Sequence, residues 1–160
     1  MKENCNELIM EEVIRIDLFR SNECQLPMPV NVPNITQMSG VTLPTPILTV
    51  NYSGEDNAQG IIEQPPTLKV AEKYQAAGHI YQYDLQAAIT DGQSEVRESV
   101  TSLGGDDAYM VLTTVDGTRF LCYTLPNTTQ IVTEEQLSNQ RAATLKVSMK
   151  SASGIILLTD

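Results

Sequence analysis

Residues 25–54, QLPMPVNVPNITQMSGVTLPTPILTVNYSG, are thirty consecutive positions without an Asp, Glu, Lys or Arg, in a chain with 20 acidic and 10 basic residues. Five of the eight prolines lie inside the stretch: Pro27, Pro29, Pro33, Pro44 and Pro46. Proline locks φ, removes a backbone donor and forces the preceding residue into extended geometry. A helix is therefore excluded, a central strand is disfavoured, and the first half reads as a polyproline-like or edge-strand ribbon. The ribbon is also too apolar for a solvated linker, which is normally charged and poor in apolar residues. Left in water, Val30, Val32, Ile35, Met38, Val41 and Leu43 would forgo burial worth about 25 cal/mol per Å². Two dry surfaces are open to it: a neighbouring subunit, or the chain's own domain wrapped by a long loop. Structureless loops of this length are uncommon in compact domains unless functional, and a stiffened ribbon loses little entropy on docking. The expectation is an arm whose prolines and six apolar residues contact another subunit.

On either side of the ribbon the patterning is that of strands. EVIRIDLF (12–19) alternates, with Ile14, Ile16 and Leu18 opposite Val13, Arg15 and Asp17; a short helix from Asn6 is the competing reading. ILTVNY (47–52) is β-branched and aromatic, SGEDNAQG (53–60) is a polar loop tip, and Pro65-Pro66 is a break. HIYQYDLQAAIT (79–90) alternates throughout, placing Tyr81, Tyr83, Leu85, Ala87 and Ile89 on one face. The period then changes. Val96, Val100 and Leu103 form one stripe of a short α-helix over about 94–103, with Ser94 as N-cap and Gly104-Gly105 as its stop. AYMVLTTV and TRFLCYTL flank Asp116-Gly117, a strong hairpin signal. A helical turn is expected around TEEQL (133–137), followed by an alternating strand from Ala143 to Met149 and an apolar run over 155–158. The predicted fold class is mainly β: an antiparallel sandwich or barrel with one short α-helix and an extended Pro-rich N-terminal arm. Residues 1–24 carry the first strand, 25–54 the arm and the strand it leads into, and 55–160 the core.

The chemistry expected of these residues is sparse. A hydrolase triad would have to use His79, the single histidine, which sits beside Gly78 at a strand start and reads as an edge residue. Cys122 alternates with Phe120 and Thr124 and reads as a buried thiol. Cys5, Cys24 and Cys122 are odd in number and widely spaced, so neither a disulfide framework nor a zinc site is indicated. Asp106-Asp107 reads as a helix-to-strand turn without EF-hand spacing, and Glu134-Glu135 as a solvated pair. No phosphate-binding glycine pattern is present. No catalytic, cofactor-binding or metal-binding residue is expected. MKENCNELIM lacks the apolar core of a secretory signal, and no run approaches the roughly 18 apolar residues of a membrane span, so no membrane partner is expected. A net charge of −10 opposes binding to phosphate backbones, and no sequence-specific nucleic-acid contact is expected.

The succession HIYQYDLQAAIT, SEVRESVTSLGG, AYMVLTTVDGTRFLCYTL is strand, short helix, hairpin. Over roughly residues 68–160 it resembles the small virion proteins of tailed phages, the tail-tube, tail-terminator and connector group. That resemblance implies protomers arranged in rings, arms or long loops that clasp neighbours, and an acidic lumen that keeps passing DNA from adhering. It implies copies of the chain itself and other virion proteins as partners, with assembly in the host cytoplasm and residence in the virion. The alternative is a β-sandwich binding module of the cell-surface or carbohydrate-binding kind. Such a module would use an aromatic platform, for which Tyr81 and Tyr83 are the available residues.

Overall fold

The computed structural model describes residues 13–26, 30–32, 35–75, 78–125, 128–136, 142–151 and 155–159. Its longest strand, β7 (Gly78–Asp91), realises the long alternation and organises half of the fold. The inward side chains Tyr83, Leu85, Ala87 and Ile89 are buried. One edge of β7 pairs antiparallel with β11 (Ala142–Ser151), which in turn pairs with β10 (Gln130–Gln136). The other edge is shared by two short antiparallel partners. β5 (Gly60–Ile62) takes the Asp91 end and β6 (Thr67–Gln75) the Gly78 end, so Pro65-Pro66 does interrupt what would otherwise be one strand.

The second half is centred on β1 (Val13–Arg20), between β4 (Leu48–Asn51) and β8 (Ala108–Thr114). From β8 the sheet continues through β9 (Arg119–Cys122), β12 (Ile156–Thr159), β3 (Ile35–Ser39) and β2 (Val30–Val32). The twelve strands among the described residues form one sheet that does not close, so of the two expected forms the barrel is not adopted. The sheet folds over: Ile16, Leu18, Met110 and Leu112 of the β1 half share a core with Leu85, Ile89, Leu145 and Val147 of the β7 half. The halves meet at β4 and β5, which are parallel and matched at only two positions, Val50↔Gly60 and Asn51↔Ile61. Parallel neighbours normally need a long crossover. Residues 52–59 suffice here because the loop reverses through left-handed backbone at Gly54, Asp56 and Asn57.

β1 and β8 are dry on both faces, and this decides where the uncharged ribbon goes. Phe19, Val111 and Leu121 point away from the first core and form a second one with Met38, Ile156 and Leu158. Leu26, Val41 and Leu43 pack against it. The ribbon's first residue, Gln25, is pinned to Thr42 by a two-bond bridge, each N–H donating to the other's carbonyl at 3.0 Å. Between them β2 and β3 pair antiparallel, and β3 lies parallel to β12. The expectation that the ribbon belongs to no core of its own chain is thus corrected for Leu26, Met38, Val41 and Leu43. The reason lies in the second apolar face, whose members are spread over four distant strands.

The helix, α1, runs from Gln93 to Leu103, with Val96 and Leu103 buried. Its N-cap is Gly92, not Ser94: the Val96 N–H donates to the Gly92 carbonyl at 3.0 Å, and no side chain caps the end. Gly92 has φ of 80°, and a Cβ there would lie 2.0 Å from the Gln59 carbonyl oxygen. At the other end Gly104 terminates the helix in left-handed geometry. Arg20 donates to the Ser102 and Leu103 carbonyls at 2.7 and 3.4 Å while bridging Asp106, a cation placed where the helix dipole favours one.

Two further expectations change for tertiary reasons. A β-bulge between Val13 and Arg15 turns Val13 into the first core and leaves Ile14 exposed, reversing the simple alternation. The stretch around TEEQL is strand β10 through Gln136, because β11 offers it a seven-residue ladder; residues 137–141 lie outside the described residues. The β8–β9 hairpin forms, but only Gly117 has positive φ, so the turn is a three-residue loop with a glycine bulge.

Two substitutions test this packing. Met38→Ala should lower unfolding free energy by about 2–5 kcal/mol, because Met38 is 2 % exposed within its own chain; a monomeric sample whose urea midpoint does not move would contradict the second core. Gly92→Ala should cost about 1–3 kcal/mol through backbone strain and the Gln59 clash, read from the same titration.

Candidate interaction surfaces

The structure distributes the residues singled out from sequence rather than gathering them. His79 is on β7 opposite Tyr74 at the end of the β6–β7 pairing where only residues 76–77 separate the two strands, and its side chain lies outside the described residues. Asp106 bridges Arg20 at 2.7 Å in the helix-to-strand turn. Asp116 accepts hydrogen bonds from the Thr114 hydroxyl and the Thr118 N–H, which hold its carboxyl below the usual range. Glu134 pairs with Lys146 at 2.8 Å. Of the arm, Met38 is buried and Val41, Leu43, Pro44 and Pro46 are half-buried. Val30 and Val32 lie on the outermost strand β2 and Ile35 begins β3, their side chains outside the described residues; Pro27, Pro29 and Pro33 lie outside them altogether. The Tyr81–Tyr83 platform is not formed. Tyr83 is 1 % exposed in the first core, and Tyr81 is hydrogen-bonded to Glu72.

One buried polar cluster escaped the sequence reading. Asp17 is 6 % exposed on the second face of β1. The Thr49 hydroxyl donates to Asp17 Oδ1 at 2.6 Å and Arg15 Nε donates to Oδ2 at 3.0 Å. Arg15 also donates to Asp56 at 3.1 Å, tying the 52–59 loop down over the pair. The loop is closed further where the Thr49 N–H donates to the Gln59 side chain at 2.7 Å and the Gln59 N–H donates to the Thr49 carbonyl at 2.9 Å. A buried charge with these partners is structural cross-bracing.

Shallow cavities open among the described residues. One, of about 280 Å³, lies between the 52–59 loop and the start of α1, with Gln59, Ile61, Asp91 and Glu95 among its walls. Another, of about 240 Å³, lies on the outer face of β7, β11 and β10, with Gln82, Gln130, Ser148 and Lys150. There the Ser148 hydroxyl donates to Asp84 at 2.7 Å. Among the described residues no three His, Cys, Asp or Glu are grouped to hold a metal ion, and no helix is long and apolar enough to cross a membrane.

What the described surface offers in quantity is strand edge and sheet face. β2 and β10 terminate the sheet, and β6 pairs only with β7, leaving its nine-residue outer edge without a strand partner among the described residues. Tyr74 near the end of β6 is 81 % exposed. The chain matches no known family model, no curated protein and no solved structure.

The two thiols among the described residues, Cys24 and Cys122, are shielded by burial. Cys122 is fully buried, and burial pushes it up to about 12; half-buried Cys24 is pushed up to about 11 by burial and by Glu23. A thiol whose folded pKa is raised contributes stability that is complete below the unfolded value and is lost as pH climbs toward the folded one. Unfolding free energy should therefore fall between about pH 9 and about pH 12, with Cys122 contributing about 1.4 kcal/mol per pH unit. Urea titrations across that range should show a shallower decline for Cys122→Ala than for the parent; equal slopes would show that Cys122 does not titrate in this way.

Proposed function

We propose that this chain is a non-enzymatic assembly protein whose copies join into a ring or larger particle, with the virion of a tailed phage as its setting. The observation that carries the reading is the open twelve-stranded sheet, whose edge strands β2, β6 and β10 have no outer strand partner among the described residues. Natural sheets blunt such edges or pair them with another chain, and added strands are a common mode of protein association. The ribbon contributes through its outermost strand, β2, while residues 38–43 anchor it to the second core. The strand–helix–hairpin order that resembles tail and connector proteins is β7, α1, β8 and β9. A net charge of −10 suits a particle lumen through which DNA passes without adhering.

Mass measurement of the purified full chain under native conditions tests the reading. The expected result is a discrete multiple of the 17.6 kDa protomer, in the range of a closed ring. A monomer at all protein and salt concentrations would overturn it.

A further inference from the structure

The polar face of the β6–β7–β11–β10 layer carries four of the chain's ten basic residues. Register places Lys69 beside Asp84 and Ser148, Lys150 beside Gln82, and Lys146 beside Gln86, all on the side opposite the first core. Lys73, beside Ile80, continues the same face. These are four of the five lysines in the chain. Lys69, Lys73 and Lys150 are exposed. Two acids share the face, Asp84, bound by Ser148, and Glu134, paired with Lys146. The face thus carries 4 − 2 = +2, against −10 for the whole, so the rest of the chain carries −12.

The opposite sign is concentrated at the other end of β7. Glu55, Glu63, Asp91, Glu95 and Glu98 are exposed there, with Asp56 paired to Arg15 and Arg97 exposed among them on α1, brought together by the 52–59 loop, the β5 end and the first turns of α1. Asp91 lies roughly 20–25 Å along β7 from Asp84, at the strand rise per residue. That exceeds the Debye length of about 8 Å at physiological salt, so the two poles do not neutralise each other within one protomer.

We infer that the lysine face of one protomer docks the acidic α1–loop pole of a second copy, head to tail. This deepens the assembly reading and rests on it. The two surfaces differ, so the contact is heterologous, and heterologous contacts build rings or filaments rather than simple two-fold dimers. The net repulsion between two acidic chains is overcome only in the one orientation that sets lysines against carboxylates, which makes charge the determinant of register. A phosphate backbone is the competing occupant of a lysine face, but it would have to approach a chain that is −12 elsewhere.

The test uses the full chain with charges reversed on each pole. One variant is Lys69→Glu, Lys73→Glu, Lys150→Glu; the other is Glu55→Lys, Glu95→Lys, Glu98→Lys. Each alone should self-associate about 100-fold more weakly than the parent, and an equimolar mixture should recover mixed oligomers by native mass measurement. Parent oligomers should also dissociate between about 50 mM and about 500 mM NaCl, which tests the contact without any substitution. Should a reversed variant lose its circular dichroism signature, Lys69→Gln, Lys73→Gln, Lys150→Gln replaces it with the same expected direction. If the parent assembles and both reversed variants assemble equally well, the lysine–carboxylate docking is wrong while the assembly reading stands. A monomeric parent defeats both. Retention of duplex DNA by the parent, lost in the lysine variant, would assign the face to phosphate instead.

Discussion

Burial of β1 and β8 on both faces forces the rest of the chain into place. A strand with alternating apolar and polar residues needs one cover, but β1 places Ile16 and Leu18 on one side and Phe19 on the other, and all are buried. The first cover is the β7–β11 half, which the chain brings round by folding the sheet over at β4 and β5. The second is the uncharged ribbon, which is pinned at Gln25 and Thr42 with Met38 beneath it. Apolar area of this extent is the dominant favourable term in folding, so a ribbon rich in Val, Ile, Leu and Met takes the nearest unoccupied apolar face.

Two-sided burial also explains the position of the polar cross-brace. Asp17 shares the second face of β1 with Phe19, where the ribbon's cover gives way to the 52–59 loop. A carboxylate left alone there would be costly, and Thr49 and Arg15 remove that cost by hydrogen bonding. The same loop carries Glu55 and Asp56 outward, next to the start of α1. An internal packing solution therefore produces an external acidic pole, while the free outer side of β7 and β11 keeps the lysines. Fold and charge segregation have one origin.

Local chemistry made several elements legible. β7 followed from uninterrupted period-two alternation, the α1 stripe from Val96, Val100 and Leu103, and the β8–β9 hairpin from Asp116-Gly117. Each is decided by neighbours a few residues apart. Ser94 misled because a serine ahead of an amphipathic stripe is a good cap only if nothing else fixes the approach; here Gly92 must let the Gln59 backbone pass. TEEQL misled because helical propensity in a polar segment is weak, and a ladder to β11 outweighs it. The Asp17 cluster left no trace in spacing, since Arg15, Thr49 and Asp56 come together only through the β1–β4 pairing and its loop.

By itself, then, the order of amino acids determined that the chain would be mainly β with one short helix, where its turns and glycine stops fall, and that residues 25–54 had to find a dry surface. These follow from sterics and periodicity acting over a few residues. The tertiary structure alone decided that the sheet stays open, that part of the ribbon finds its surface at home, and that four lysines gather on the outer face of β6, β7 and β11 while carboxylates gather around the Asp91 end of β7. Those outcomes depend on which distant strands become neighbours, and strand register is set by burial summed over the whole molecule rather than by any local run of residues.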